Sequence, residues 1–349
     1  MLAEGPTRIA VTVATRGRPM SCYRLVDALL AQSLPWGHQL QVIVVDNVAA
    51  RSALKLSPDE RVTVVGEPRT GIPFARNRGV HEVLDAADVI VFIDDDEVPA
   101  DDRWLSTLVG ALREKTADMA TGPVRARFCD DAPKWLRAHP LFQHKARCSR
   151  WPLSRAYTSN LAVRSGVFRR LDRWFDERLR HTGGSDTEFT QRAVRAGAKI
   201  VWADTAVVYE DVPPSRATTR WVLRRSRRLG ANRAQRLRSR QASARTWAAY
   251  ICGAGVEMCA GGVCVLLTPF IGRRRGLVAL GRAARGTGTL QAALGASDVE
   301  EYRTVHGVEP DEHCSPAGEQ PEVSVPAPAQ YAPSHRSTAR TVLASNSRS

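Results

Sequence analysis

The run Val89-Ile90-Val91-Phe92-Ile93-Asp94-Asp95-Asp96-Glu97 decides how the chain is read. Five apolar, mostly β-branched residues are too few for a buried helix and suit a strand covered on both faces. That strand ends abruptly in four acids. Residues 8–14 (RIAVTVA), 40–46 (LQVIVVD) and 62–65 (VTVV) have the same character, and helical apolar spacing follows them, as at Leu25, Leu29 and Leu30 and again at Val80, Val83 and Leu84. Near-continuous apolar strands alternating with helices predict an α/β fold, a mainly parallel sheet with helices on both faces. Ligands of such sheets sit at the carboxyl ends of the strands. Thr15-Arg16-Gly17-Arg18-Pro19, Asp46-Asn47 and Asp94 to Glu97 are therefore expected to converge on one rim.

Composition narrows the class. The chain has 349 residues, 43% of them hydrophobic and 25% charged, which excludes wholesale disorder. Seven cysteines without C-x-x-C spacing argue against both a disulfide scaffold and zinc, and make reduced thiols the default. The first ten residues lack a basic segment followed by an apolar one, so no secretory signal is expected. The net charge of +14 is concentrated: residues 216–245 hold eleven arginines and no acid. Nucleic acid is not the expected partner, because neither interleaved aromatics nor a reading module accompanies the charge.

Residues 246–271 are apolar but for Glu257 and long enough to cross a bilayer. Arginines crowd both flanks, against the positive-inside tendency for a single span. A basic arm joined to an apolar helix at the cytoplasmic face of an anionic membrane fits better, and a returning hairpin fits equally. A helix buried on the rest of the protein is the competing reading. The expected organisation is a catalytic domain over 1–215, an Arg-rich helical arm over 216–245, an apolar membrane-associated region over 246–306 and a disordered tail over 307–349.

In an extended segment Asp94 and Asp96 would point the same way. Paired carboxylates of this kind suit a hard divalent cation, Mn²⁺ or Mg²⁺, with open positions for a diphosphate. A solvated acidic loop is the bland alternative, and the placement after a buried strand weighs against it.

The ordered series VTVATRGRP (11–19), VIVVDN (42–47), GIPFARNRG (71–79), VFIDDDEVP (91–99), TSNLAVR (158–164) and GGSDTEFTQRAVRAGAKIVW (183–202) resembles family 2 glycosyltransferases with the GT-A fold, over about residues 7–215. The resemblance implies a nucleotide-sugar donor and assigns roles by position. Thr15, Arg16 and Arg18 would line the nucleotide pocket, Asp46 would accept from the base, and Arg76 and Asn77 would contact base, ribose or phosphate. Asp94, Asp95 and Asp96 form the DxD-type element, with Asp96 as the direct metal ligand and Asp94 beside it. Glu210 stands where many relatives have a metal-proximal His. Asp186 matches the base that takes the acceptor proton, Gly184 leads into it, and Ser185 replaces the usual Glu; Glu188 is the fallback base. Thr158, Ser159 and Asn160 would face the acceptor, and Trp151, Trp174 and Phe175 would either stack on a sugar or belong to the core.

This set implies direct displacement with inversion. Asp46 favours a UDP or dTDP sugar, and the acceptor would be a glycan or lipid-linked hydroxyl. Arg220-Trp221 echoes the Q-x-x-R-W element of processive synthases, but Ala217 replaces its Gln, so single-sugar transfer is expected. The competing reading is a non-catalytic membrane- or polyanion-binding protein with a degenerate transferase domain.

Overall fold

The computed structural model describes residues 7–35, 37–48, 54, 56, 59–130, 132–142, 153–180, 183–239 and 241–295. The chain begins β1 (Arg8–Thr15), α1 (Pro19–Leu30), β2 (Gln39–Asp46), β3 (Val62–Gly66), α2 (Ile72–Val83) and β4 (Val89–Asp94). It continues through β5 (Glu97–Pro99), α3 (Trp104–Glu114), β6 (Met119–Thr121), β7 (Val124–Phe128), α4 (Lys134–Arg137), β8 (Asn160–Arg164), α5 (Ser165–Arg169), α6 (Ser185–Arg195), β9 (Ile200–Trp202) and β10 (Val208–Val212). The helices α7 (Thr219–Ser239), α8 (Ala244–Leu266), the single turn α9 (Thr268–Ile271) and α10 (Arg273–Ala293) follow.

The main sheet has seven strands in the order β3-β2-β1-β4-β8-β6-β9. β3, β2, β1 and β4 run parallel, whereas β8 is antiparallel to both β4 and β6. Alternation along the strands feeds two cores. Val89, Val91 and Ile93 join Leu25 and Leu29 of α1 and Leu105 and Leu108 of α3 on one face. Ile90 and Phe92 join Val80 of α2, Phe168 of α5 and Phe189 of α6 on the other. Each parallel strand is thus apolar on both sides, which is why its sequence reads as an unbroken apolar run. A smaller sheet, β5-β10-β7, stands over the carboxyl ends of the parallel strands.

Cys129 is disulfide-bonded, which corrects the expectation of uniformly reduced cysteines. Cys22, Cys252, Cys259 and Cys264 are free thiols. Spacing along the chain carried no signal for that bridge.

The Arg-rich segment is largely helical. It forms α7, whose Val222, Ser226, Arg228, Ala231 and Ala234 are buried. α10 runs back along both α7 and α8, and small residues allow the backbones to approach closely. A Cβ on Gly288 would lie 1.9 Å from the Arg227 carbonyl oxygen, and one on Gly261 2.7 Å from that of Ala279. Glu257, the single charge of the apolar stretch, ties the three helices together: Arg285 of α10 lies 3.0 Å from it and Arg233 of α7 3.6 Å. Leu136, Phe142, Val212, Val222 and Leu277 form the joint between this layer and the strands, with Phe142 stacked on Trp221 at 5.4 Å. α8 is not a helix buried on the catalytic layer. Only 11% of its most apolar stretch is buried, and beyond it Leu266 and Phe270 are 79% and 86% exposed.

Candidate active site

Parallel pairing sets the rim. Thr15 is in register with Asp46 and Ala14 with Asp94, so the carboxyl ends of β1, β2 and β4 deliver their polar residues to one edge. Asp95 and Asp96 form a turn between β4 and β5, so Asp94 and Asp96 are not two positions of one extended strand, and this corrects the pairing expected from the sequence. Asp94 has a partner of its own, whereas Asp95 and Asp96 share Arg18. Asp94 accepts from Arg76 Nη2 at 3.0 Å. Asp95 accepts from Thr15 Oγ1 at 2.8 Å and from Arg18 Nη1 at 3.0 Å. Asp96 Oδ2 takes Arg18 Nη1 at 3.2 Å and Arg216 Nη1 at 2.9 Å.

The smaller sheet brings in two more acids. Glu210 of β10 is the register partner of Glu97 of β5, and the Asp211 N–H donates to the Asp96 carbonyl at 3.1 Å. Glu97 is 2% exposed and accepts the Asp94 N–H at 3.0 Å. Its burial, with Asp94 and Asp96 alongside, pushes its carboxyl well above the usual range. Burial and the charge of Asp96 raise Glu210 to about 7, with Arg216 pulling the other way at 3.8 Å. Burial also opposes ionisation of Asp96, yet Arg216 and Arg18 override it and hold that carboxyl below its ordinary value. Five carboxyls thus crowd around three guanidinium groups, and of the five Asp96 is the one held below its ordinary value.

α2 supplies the third wall. Asn47 fixes its start: Nδ2 donates to the Glu67 and Arg69 carbonyls at 2.9 and 2.8 Å, and Oδ1 accepts from the Gly71 N–H at 2.8 Å. Arg76 is then presented at Asp94 with its guanidinium also 5.8 Å from the Phe175 ring.

α6 supplies the fourth. Gly183 and Gly184 take φ of 74° and 86°, a left-handed turn that side chains resist, and Gly184 is the N-cap. Ser185 and Asp186 follow this cap as the first residues of α6. Asp186 lies in the first turn, half-buried, with Oδ1 accepting the Thr187 N–H at 2.6 Å. Desolvation raises the Asp94 carboxyl, and the nearby charges of Asp96 and Asp186 add to that rise against Arg76. Asp186 is thus near enough to the end of β4 for its charge to be felt at Asp94.

Residues 11–172 match the family described as Glycosyl transferase family 2. The succinoglycan biosynthesis protein ExoM of Rhizobium meliloti (strain 1021) is 31% identical over 301 residues, 84% of this chain and 95% of the relative. The chain belongs to glycosyl transferase family 2. Its fold is similar to that of the mannosyltransferase PcManGT from Pyrobaculum calidifontis, solved with GDP-Man and Mn²⁺, with a TM-score of 0.55 at 19% identity, over 82% of this chain and 87% of that one. The protein is a glycosyltransferase with a GT-A-like fold, and the non-catalytic reading falls away.

Several residues assigned from the sequence do other work in this family 2 glycosyltransferase. Asn160, expected to face the acceptor, is 1% exposed. Its Oδ1 accepts from Trp104 Nε1 at 3.1 Å and its Nδ2 donates to the Pro123 and Ala206 carbonyls at 3.2 and 2.7 Å, so the amide is committed to the fold. Thr158 is likewise buried. Asn77 donates to the Phe175 carbonyl and to Glu177 and accepts the Phe175 N–H. The Thr15 hydroxyl is spent on Asp95. Glu188 pairs with Arg192 at 2.9 Å and Arg173 at 3.8 Å. Phe175 is fully buried against Phe92 and Phe189, and Trp174 packs on Phe168, so both belong to the core; Trp151 lies outside the described residues. Asp46 is 6% exposed, and its carbonyl accepts the Glu67 N–H at 3.0 Å. Arg16 is half-buried and has no ion-pair partner among the described residues.

Two residues at this site had no role from the sequence. Glu97 read as the end of an acidic run, and its burial follows only from pairing with β10. Arg216 was one of eleven arginines, and the turn that aims it at Asp96 has no signature in composition.

Proposed function

We propose that this glycosyltransferase moves a single sugar from a nucleoside-diphosphate sugar to an acceptor hydroxyl, with inversion, assisted by a divalent cation. The reading rests on membership of the family together with a charged rim at the end of β4, where Asp94 feels the charge of Asp186 from the start of α6. A base near a rim that carries guanidinium groups suits direct displacement of a nucleoside diphosphate. Asp186 takes the acceptor proton while Arg16 and Arg76 orient the diphosphate.

Among the described residues no three His, Cys, Asp or Glu side chains converge as a closed metal site. Asp94, Asp96 and Glu210 are held apart by guanidinium groups. The donor set still fits an open site, because Asp96 is kept ionised and Glu210 adds a second hard oxygen. A Mn²⁺ or Mg²⁺ ion there, held by Asp96 with Asp94 and Glu210 beside it, would supply neutralisation of the departing diphosphate. PcManGT, with its GDP-Man and Mn²⁺, supports both a nucleotide-sugar donor and a metal. Asp46 favours a uracil or thymine base over guanine.

The relative's role in succinoglycan biosynthesis supports a glycan or lipid-linked acceptor in polysaccharide assembly. The exposed apolar side of α8, followed by Arg273, Arg274 and Arg275, supports attachment to the cytoplasmic face of an anionic membrane.

The test is calorimetric binding of UDP, dTDP and GDP, each with and without Mn²⁺, to the wild type and to Asp96→Asn. Metal-dependent binding of one nucleotide, lost in the variant, is the expected result. Binding that ignores both Mn²⁺ and the substitution would overturn the metal reading. Absence of binding by any of the three would overturn the donor class. For the membrane, the full chain is expected to float with vesicles containing phosphatidylglycerol and not with neutral ones.

A further inference from the structure

The oxygen best suited to hold a cation is already in contact with two. Asp96 Oδ2 receives Arg18 Nη1 at 3.2 Å and Arg216 Nη1 at 2.9 Å. The two arginines are not equivalent. Arg18 Nη1 is shared with Asp95, which Thr15 also holds, so Arg18 belongs to the wall between β1 and β4. Arg216 comes from the turn between β10 and α7, where its N–H donates to the Pro213 carbonyl at 2.9 Å and the Ala217 N–H reaches the Pro213 and Pro214 carbonyls at 3.1 Å each. From that turn its guanidinium lies between Asp96 at 2.9 Å and Glu210 at 3.8 Å, the two acids that the proposed metal reading relies on.

A divalent ion and a guanidinium cannot both sit on Asp96 Oδ2 without strong repulsion. The same guanidinium is well matched to a diphosphate, which accepts its paired N–H groups in a planar fork. Bringing in a metal ion with its nucleoside diphosphate therefore removes one partner of Arg216 and supplies another.

We propose that Arg216 is the resident cation of the donor-free site: it holds Asp96 and Glu210 until a metal–nucleoside diphosphate enters, then passes from the carboxylates to the diphosphate. This rests on the metal reading above and adds an order to it. The metal alone binds poorly because Arg216 competes for its ligand, and the nucleotide relieves that competition. Arg216 is a positioning residue, and its effect is a coupling between two ligands.

The experiment is a Mn²⁺ titration of the full chain, reading free Mn²⁺ by electron paramagnetic resonance, with no nucleotide, with UDP and with GDP. Wild type should bind Mn²⁺ weakly alone and more tightly with the nucleotide it accepts. Arg216→Gln should bind Mn²⁺ alone about tenfold more tightly, as expected from removing a unit charge in contact with the ligand oxygen, and should lose about the same factor from the nucleotide's effect. Arg216→Lys keeps the charge but not the fork, so its affinity for Mn²⁺ alone should match wild type while the nucleotide effect shrinks; it also serves if the glutamine variant fails to fold. Arg61→Gln, which breaks an exposed pair with Asp59, should leave both constants unchanged.

Unchanged or weaker binding of Mn²⁺ alone by Arg216→Gln, beside a wild type that does bind Mn²⁺ with nucleotide, overturns the proposal and leaves the metal reading intact. If neither protein binds Mn²⁺ under any condition, the metal reading falls and this proposal with it.

Discussion

Asn77 holds Phe175 by both ends of one amide: Nδ2 donates to the Phe175 carbonyl at 3.0 Å, and Oδ1 accepts the Phe175 N–H at 2.9 Å. A side chain on α2 thereby substitutes for a strand partner and fixes the segment that approaches Gly183 and Gly184. Asn77→Ala would leave both backbone groups without partners, at a cost of about 1–3 kcal/mol. Urea denaturation should show that loss. A variant as stable as wild type would mean that water replaces the amide.

Asp186→Asn should keep the fold and the nucleotide affinity while turnover falls about 10²–10⁴-fold, the usual share of a general base. Calorimetry and a turnover assay on the same preparation separate the two. Loss of nucleotide binding in this variant would place Asp186 among the donor contacts instead.

For Asn160 the structure predicts a folding defect rather than an acceptor defect. Asn160→Ala strands Trp104 Nε1 and the Ala206 carbonyl in the interior, while the Pro123 carbonyl keeps the Val208 N–H, a loss of at least about 2 kcal/mol. Soluble yield and the unfolding midpoint should both fall. A stable variant with a raised acceptor KM would show that the amide reaches the substrate.

His139 sets a pH dependence. It is 4% exposed, beside Ser226 and Gly281 at the joint between the strands and the helices, and burial lowers its pKa from the ordinary 6.5. The folded chain then carries fewer protons on this group than the unfolded chain, so stability falls as pH drops through about 6.5. The slope of Tm between pH 7.5 and 5 should flatten in His139→Asn. An unchanged slope would assign the acid sensitivity to other groups.

Two glycines of the helical layer should respond in opposite directions. Gly288→Ala sets a methyl against the Arg227 carbonyl, so α10 must draw away from α7, at about 1–3 kcal/mol. Gly253 on α8 has no atom within 4 Å of where a Cβ would stand. Gly253→Ala should therefore gain about 0.5–1 kcal/mol from helix propensity. Helix melting in detergent, followed by circular dichroism, reads both.

The parallel half of the sheet was legible because β1, β2 and β4 are buried on both faces, which leaves an unbroken apolar signature. The reversal at β8 was not, because a run such as Asn160-Leu161-Ala162-Val163 reads the same in either direction. Asp94 to Glu97 announced the site, but side-chain direction there depends on a turn at Asp95-Asp96 that four consecutive acids do not specify. The partners of Asn160 and Asn77 within the fold were illegible for a shared reason. An amide offers a donor and an acceptor to whatever lies opposite, and only the fold decides whether that is a ligand or a carbonyl. Arg216 was hidden by abundance: among eleven neighbouring arginines, one aimed inward looks like the rest.

The return of α10 along α7 and α8 has a practical consequence. Ending the chain after α8, the obvious way to shorten the apolar region, would strip the small-residue face on which α7 rests and Arg285, one of the two arginines paired with Glu257. Because α7 begins a few residues after Arg216, the damage would reach the turn that aims Arg216 at Asp96. A water-soluble version is better sought by exchanging Val256, Val263, Leu266 and Phe270 for polar residues, which leaves the helix-to-helix seams whole.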